Sequence, residues 1–128
     1  MRKIVKSLSD RSSVRSKSSD PTTGAMFDAI VDHAEQNGWE TIFTKAGTAA
    51  VQFHKPHAKG SYRHSIIVNL DSLNFYLRPP ALLIDPNASA WAQDNFAEVK
   101  IDANAQNETT IKLRSVADAQ RAAKKFLN

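Results

Sequence analysis

The chain of 128 residues contains no cysteine. This absence excludes disulfides, iron–sulfur clusters, thiol catalysis and cysteine-based zinc sites. Its four glycines stand singly at positions 24, 38, 47 and 60, so the sequence offers no glycine-rich loop to bind a phosphate group. We therefore expect neither a bound cofactor nor a resident metal.

Long apolar runs are also missing. The longest covers only residues 79–84, whereas a helix needs about 20 apolar residues to cross a bilayer. The beginning of the chain offers only Ile4, Val5 and Leu8 as large apolar groups after Met1, too few for the core of a secretory signal. The sequence thus predicts a cytoplasmic protein with no membrane contact.

Positive charge is concentrated at the beginning of the chain. The first 23 residues carry six Lys and Arg against two Asp, a balance of 6 − 2 = +4, and the remainder holds 11 cations against 11 anions. Residues 1–19 also contain seven serines, and such a polar segment buries too little apolar surface to offset the entropy lost on ordering. We predict a disordered basic tail over 1–19 that favours a polyanionic partner, and a single domain over 20–128.

Two segments carry the apolar spacing of amphipathic helices. The first covers about 24–37, with Asp20-Pro21 as a start signal and Asn37-Gly38 as a stop. Asp28, Asp32 and Glu35 fall on its polar side, where we expect water. The second begins after Ser115, which resembles the start of a capping box.

Between the helices, apolar residues alternate with polar ones, which is typical of half-buried strands. The predicted strands cover about 39–45, 48–54, 64–70, 73–77, 97–101 and 109–113, and residues 79–96 are predicted to be irregular apart from a helical turn at 88–93. Such alternation indicates an antiparallel sheet with one buried face. The fold class is therefore α+β: a two-layer sandwich of about six mainly antiparallel strands, with the N-terminal and C-terminal helices on one face.

The face of this sheet that points away from the helices is the predicted binding surface. Its strand residues include four Lys and Arg against one Glu, with three side-chain amides and a tyrosine. Open sheet faces of this kind stack bases and hold phosphates in several single-strand binders, and the basic loop 55–63 extends the surface. We expect a non-enzymatic nucleic-acid-binding module, with the contacts made by Lys55, Lys59, Tyr62, Arg63, Asn74, Tyr76, Arg78, Lys112 and Arg114.

A second interpretation is a protein–protein interaction domain of the adaptor, inhibitor or immunity type. Leu82, Leu83, Ile84 and Trp91 lie in the irregular segment, where they form either a lid over the core or an exposed docking patch.

A third interpretation is a metal-dependent nuclease. Glu98-Val99-Lys100 has the acid-x-Lys form used by one nuclease class, and Asp85 or Asp94 would supply the further acid for Mg²⁺. The three histidines at 54, 57 and 64 could hold a metal or act as acid and base, but the alternation places His54 and His64 on opposite faces. We therefore assign no catalytic or metal-binding residue.

Overall fold

The computed structural model describes residues 9–45 and 47–128. Its elements, in chain order, are α1 (Arg11–Arg15), α2 (Pro21–Gln36), β1 (Glu40–Thr44), β2 (Ala50–His54), β3 (Tyr62–Val68), β4 (Leu73–Leu77), α3 (Pro79–Ile84), α4 (Ala88–Asn95), β5 (Val99–Asp102), a 3-10 turn (Ala103–Ala105), β6 (Glu108–Leu113) and α5 (Val116–Phe126).

The six strands form one sheet in the order β1-β2-β3-β4-β6-β5, and every neighbouring pair is antiparallel. The long helices α2 and α5 pack against each other on one face of this sheet. The predicted α+β class, the antiparallel sheet of six strands and the helices at both ends are confirmed.

The core lies between the sheet and the two long helices. Val51, Ile66, Phe75 and Ile111 stand side by side in four successive strands, and all four are fully buried. Because side chains alternate along a strand, the residues between them must point to the opposite face. The sheet therefore has one buried face and one open face.

The helix boundaries follow from their caps. The Asp20 carboxylate accepts hydrogen bonds from the Thr23 amide at 3.1 Å and the Thr23 hydroxyl at 2.9 Å, so α2 begins three residues earlier than its apolar spacing predicts. Ser115 Oγ accepts from the Asp118 amide at 3.2 Å, as expected for the start of α5.

The predicted disorder of the tail does not hold for residues 9–19. They form α1, which begins after Asp10, and the side chain of Val14 is fully buried in the core. Residues 1–8 lie outside the described part of the chain. Composition alone missed this helix because a single buried valine contributes little to an average over nineteen residues.

Charge holds α1 on the outer side of α2. Arg11 contacts Asp28, Asp32 and Glu35 at 3.3, 2.8 and 3.4 Å, and Arg15 contacts Asp28 at 3.0 Å. The acids predicted to face water therefore face two arginines of the tail. These ion pairs lower the pKa of the Asp28 carboxyl against the opposing effect of its partial burial.

Gly24 makes room for this contact. A β-carbon at Gly24 would come within 2.8 Å of the Arg15 guanidinium. Glycine inside a helix costs about 1 kcal/mol relative to alanine, and here the close approach of Arg15 gives the reason for it.

Residues 79–96 are helical and not irregular as predicted. Pro79 and Pro80 occupy the first turn of α3, where an amide has no partner within the helix and its absence costs nothing. Prolines that suggested a break in the chain therefore start a helix. Trp91 of α4 packs edge-on against Phe126, with ring centroids 5.5 Å apart.

One predicted core residue is on the surface. Leu70 was grouped with His64, Ile66 and Val68, but β3 ends at Val68 and Leu70 is 70% exposed. The chain turns there, since the amide of Asn69 donates to Ser72 O at 3.0 Å.

The burial of Val14 gives the first testable expectation. Val14→Ala should lower the free energy of unfolding by about 2 kcal/mol, because two buried methyl groups are lost and a small cavity is left. Urea unfolding followed by circular dichroism measures this change. Ser12→Ala on the exposed side of α1 is the matched control and should stay within about 0.5 kcal/mol. Equal stability of both variants would show that α1 does not pack on the core.

Candidate functional site on the open sheet face

The open face is built by the strand residues that alternate with the buried ones. One row runs across all six strands in register, and its members are Ile42, Gln52, Ser65, Tyr76, Thr110 and Lys100. The described helices longer than one turn pack on the other face, so this surface is where side chains can meet a ligand.

An aromatic stack stands at one end of the open face. The rings of His54 and Tyr62 lie parallel with centroids 4.8 Å apart, and the Arg78 guanidinium lies 3.6 Å above the Tyr62 ring. Arg78 Nη1 also donates to the carbonyl of Tyr62, which fixes the guanidinium in place. We call these three residues the His54–Tyr62–Arg78 stack.

A bulge produces this stack. The register between β2 and β3 shifts at Phe53 and His54, so that His54 stands opposite Tyr62 while Phe53 stands opposite His64. Alternation without the bulge would place His54 opposite Arg63. The stack therefore depends on an irregularity that the sequence pattern does not show.

A second polar group occupies the centre of the open face. Asn69 Nδ2 donates to Asn74 Oδ1 at 3.3 Å, and Asn74 Nδ2 donates to the Tyr76 hydroxyl at 3.4 Å. Lys112 stands directly opposite Asn74, and Lys100 lies one strand further out. Neither lysine forms an ion pair within the described residues. Together these groups line a shallow depression of about 460 Å³.

Arg114 is neutralised at the rim of this depression. Its Nε donates to Glu98 Oε2 at 2.7 Å, and this hydrogen bond lowers the pKa of the Glu98 carboxyl. Both side chains are exposed, so the pair contributes little to stability. It does, however, remove one of the expected cations from the surface.

The basic loop 55–63 spreads around the end of the sheet instead of covering the open face. Lys55 lies over the Trp39 ring at 4.8 Å and donates to Asn128 O at 3.2 Å. Arg63 donates to Gly60 O at 3.2 Å and lines a small cavity on the helix side. Lys59 is exposed. Of the nine residues predicted to bind, the structure brings Tyr62 and Arg78 together in the stack, and Asn74, Tyr76 and Lys112 together at the centre.

The cation excess predicted for the open face is wrong. Glu40 stands opposite His54 on the open face, and Asp102 stands opposite Glu108 on the same face at its far rim. With Glu98 the face has four acids against four cations, which are Arg78, Lys100, Lys112 and Arg114. Continuing the two-residue alternation to the strand ends would have found the three additional acids.

The three histidines do not meet. His54 lies on the open face, His57 occupies a turn with a φ of 58°, and His64 is buried in the core, only 4% exposed. Within residues 9–45 and 47–128, no group of three or more potential metal ligands lies together. Asp85 and Asp94 belong to the helical layer and Glu98 to the open face, so the acids needed for the nuclease interpretation stay apart.

Comparisons with known proteins give no match, whether to a family model, to a curated protein or to a solved structure. Among the described residues, no helix combines the length and apolar character needed to cross a membrane. Function is therefore argued from the side chains themselves.

Burial of His64 makes stability depend on pH. Its Nδ1 lies 3.3 Å from Tyr76 O, and burial lowers its pKa from 6.5 to about 4. The unfolded chain therefore takes up this proton first, so stability is full above pH 6.5 and falls as the pH drops toward 4. A shift of this size corresponds to a loss of about 3 kcal/mol.

Urea unfolding at several pH values between 7 and 4.5 measures this loss. The variant His64→Gln keeps a donor for the carbonyl and removes the titrating ring, so its stability should decline less over the same range. His54, whose pKa burial also lowers, is present in both proteins and cancels in the comparison. Parallel curves for the two proteins would contradict the assignment to His64.

Proposed function

We propose that the protein binds single-stranded nucleic acid on its open sheet face. The observation that carries this proposal is the His54–Tyr62–Arg78 stack, which stands on the same face as Tyr76 and two lysines without ion-pair partners in the described chain. Stacked aromatic and guanidinium groups are the surfaces on which unpaired bases lie.

Each tyrosine has a cation beside it. Arg78 lies on Tyr62, and Lys100 and Lys112 lie around Tyr76. Tyr62 is three residues along β3 from Ser65, the partner of Tyr76, so the two rings are roughly 10 Å apart along the strand direction. A single strand crossing the face can therefore meet a ring and a positive charge at two successive points.

The equal number of acids and cations sets the character of this binding. Three cations without an ion pair, Arg78, Lys100 and Lys112, would release few counterions. The slope of log K against log salt should then be about −2 for a single strand. Stacking supplies most of the remaining free energy, at about 1–3 kcal/mol for each base. This predicts weak binding that changes more with the aromatic residues than with salt.

The tail contributes less than its charge predicts. Arg11 and Arg15 are held by the acids of α2. Residues 1–8 contain Arg2, Lys3 and Lys6, and the proposal assigns them no contact. Their effect is tested by replacing these three cations with glutamine in the full chain, which leaves α1 intact.

Fluorescence anisotropy of labelled single-stranded oligonucleotides, titrated with the full chain at several salt concentrations, tests the proposal. Tyr76→Leu should weaken binding about 5- to 100-fold because one stacking surface is lost. Lys112→Ala should reduce the salt slope by about 0.7. Lys124→Ala, an exposed lysine of α5 on the opposite layer, is the matched control and should change neither quantity.

Three results would contradict the proposal. The first is no binding by the unsubstituted chain, and the second is binding that is lost only when the cations of residues 1–8 are replaced. The third is equal or tighter binding of duplexes, because paired bases cannot stack on the open face.

A further inference from the structure

One edge of the sheet has no backbone partner in the described chain. β5 is the last strand and pairs only with β6. The Lys112 amide donates to Glu98 O at 2.9 Å, so Glu98, Lys100 and Asp102 turn their backbone groups toward β6. Because this direction alternates along a strand, Val99 and Ile101 present their N–H and C=O groups outward.

The opposite edge differs. There the amide of Ser9 donates to Phe43 O in β1 at 2.7 Å, and α1 packs beside the same strand. The chain thus covers part of one edge with its own N-terminal segment. The β5 edge has no such cover among the residues described.

An apolar groove adjoins the β5 edge on the helix side. It measures about 770 Å³, and none of its lining side chains is charged. Ile101 of β5 and Leu83 of α3 are on its wall, 37% and 84% exposed. Large exposed apolar side chains beside a free strand edge are the features that association would bury.

We propose that a second copy of the chain occupies this edge, with a two-fold axis at Ile101 that continues the sheet from one copy to the other. Ile101 then faces Ile101 of the other copy on the helix side. The two apolar grooves lie on the same side of the joined sheet, on either side of the axis. A two-fold contact uses the same patch twice, and an uncharged patch can meet itself without repulsion.

Charge selects this register. An axis at Ile101 places Lys100 of each copy opposite Asp102 of the other, which gives two pairs of opposite charge on the open face. An axis at Lys100, the other register that joins the outward-facing backbone groups, would place lysine against lysine and Glu98 against Asp102. Opposite charges directly across neighbouring strands attract, and like charges repel.

Light scattering coupled to size exclusion tests the pairing on the full chain. At a loading of about 100 µM, a dimer with a Kd near 10 µM is mostly formed, and the expected mass is twice the 14.1 kDa of one chain. Ile101→Lys should give the mass of a single chain, since two lysines would then meet at the axis. Leu70→Lys, an exposed leucine in the turn between β3 and β4, is the control and should remain a dimer.

A charge exchange tests the register. Lys100→Asp alone and Asp102→Lys alone should each lower the dimer fraction, and the double variant Lys100→Asp/Asp102→Lys should restore it. A single-chain mass for the unsubstituted protein would overturn the proposal, and so would a double variant no more dimeric than the single ones. Circular dichroism confirms that each variant is folded, and the test contains no nucleic acid, so its result is independent of the proposed function.

Discussion

Burial on only one side of the sheet is the constraint on which the rest of this structure depends. Both long helices pack on the same face, so each strand must alternate apolar and polar side chains, and the other face is polar by necessity. Tyr62 and Tyr76 are the two tyrosines of the chain, and both lie on that open face, although aromatic residues are otherwise concentrated in the core. The packing that stabilises the domain thereby determines which residues a ligand can reach.

Alternation also explains which parts of the structure could be predicted. The strand carrying Leu73, Phe75 and Leu77 follows its pattern residue by residue, because local order and burial agree there. Helix α1 could not be predicted in this way, since its stability depends on acids more than ten residues away in α2. The same holds for Pro79 and Pro80, whose position at the start of a helix depends on where the preceding strand ends.

The candidate site shows the same division. Asn74, Tyr76 and Lys112 were placed on the open face from spacing alone, and the structure puts them side by side. The contact of Tyr62 with His54 depends on a bulge, and the removal of Arg114 depends on its pairing with Glu98. A residue's face can be inferred from sequence, but whether its charge is free to act depends on neighbours that only folding brings close.

The net charge of the chain illustrates this point. Of the total of +4, the three cations of residues 1–8 account for +3, which leaves +1 for residues 9–128. Two further arginines of the tail are paired with α2. The high isoelectric point therefore says little about the surface that a ligand would meet, and the argument for a nucleic acid depends on stacking more than on charge.

Pairing through β5 would act on the open face by geometry and not by charge. The contact joins Lys100 of one copy to Asp102 of the other, so it removes equal numbers of cations and acids and leaves the balance of the face unchanged. It does place two open faces on one continuous sheet, so that a single strand bound at one Tyr76 site lies near the other. A second weak contact made by a tethered ligand strengthens binding without any new residue. Weak stacking sites on a domain of this size become useful when they are repeated, and the free edge of β5 lies next to the strand pair that carries them.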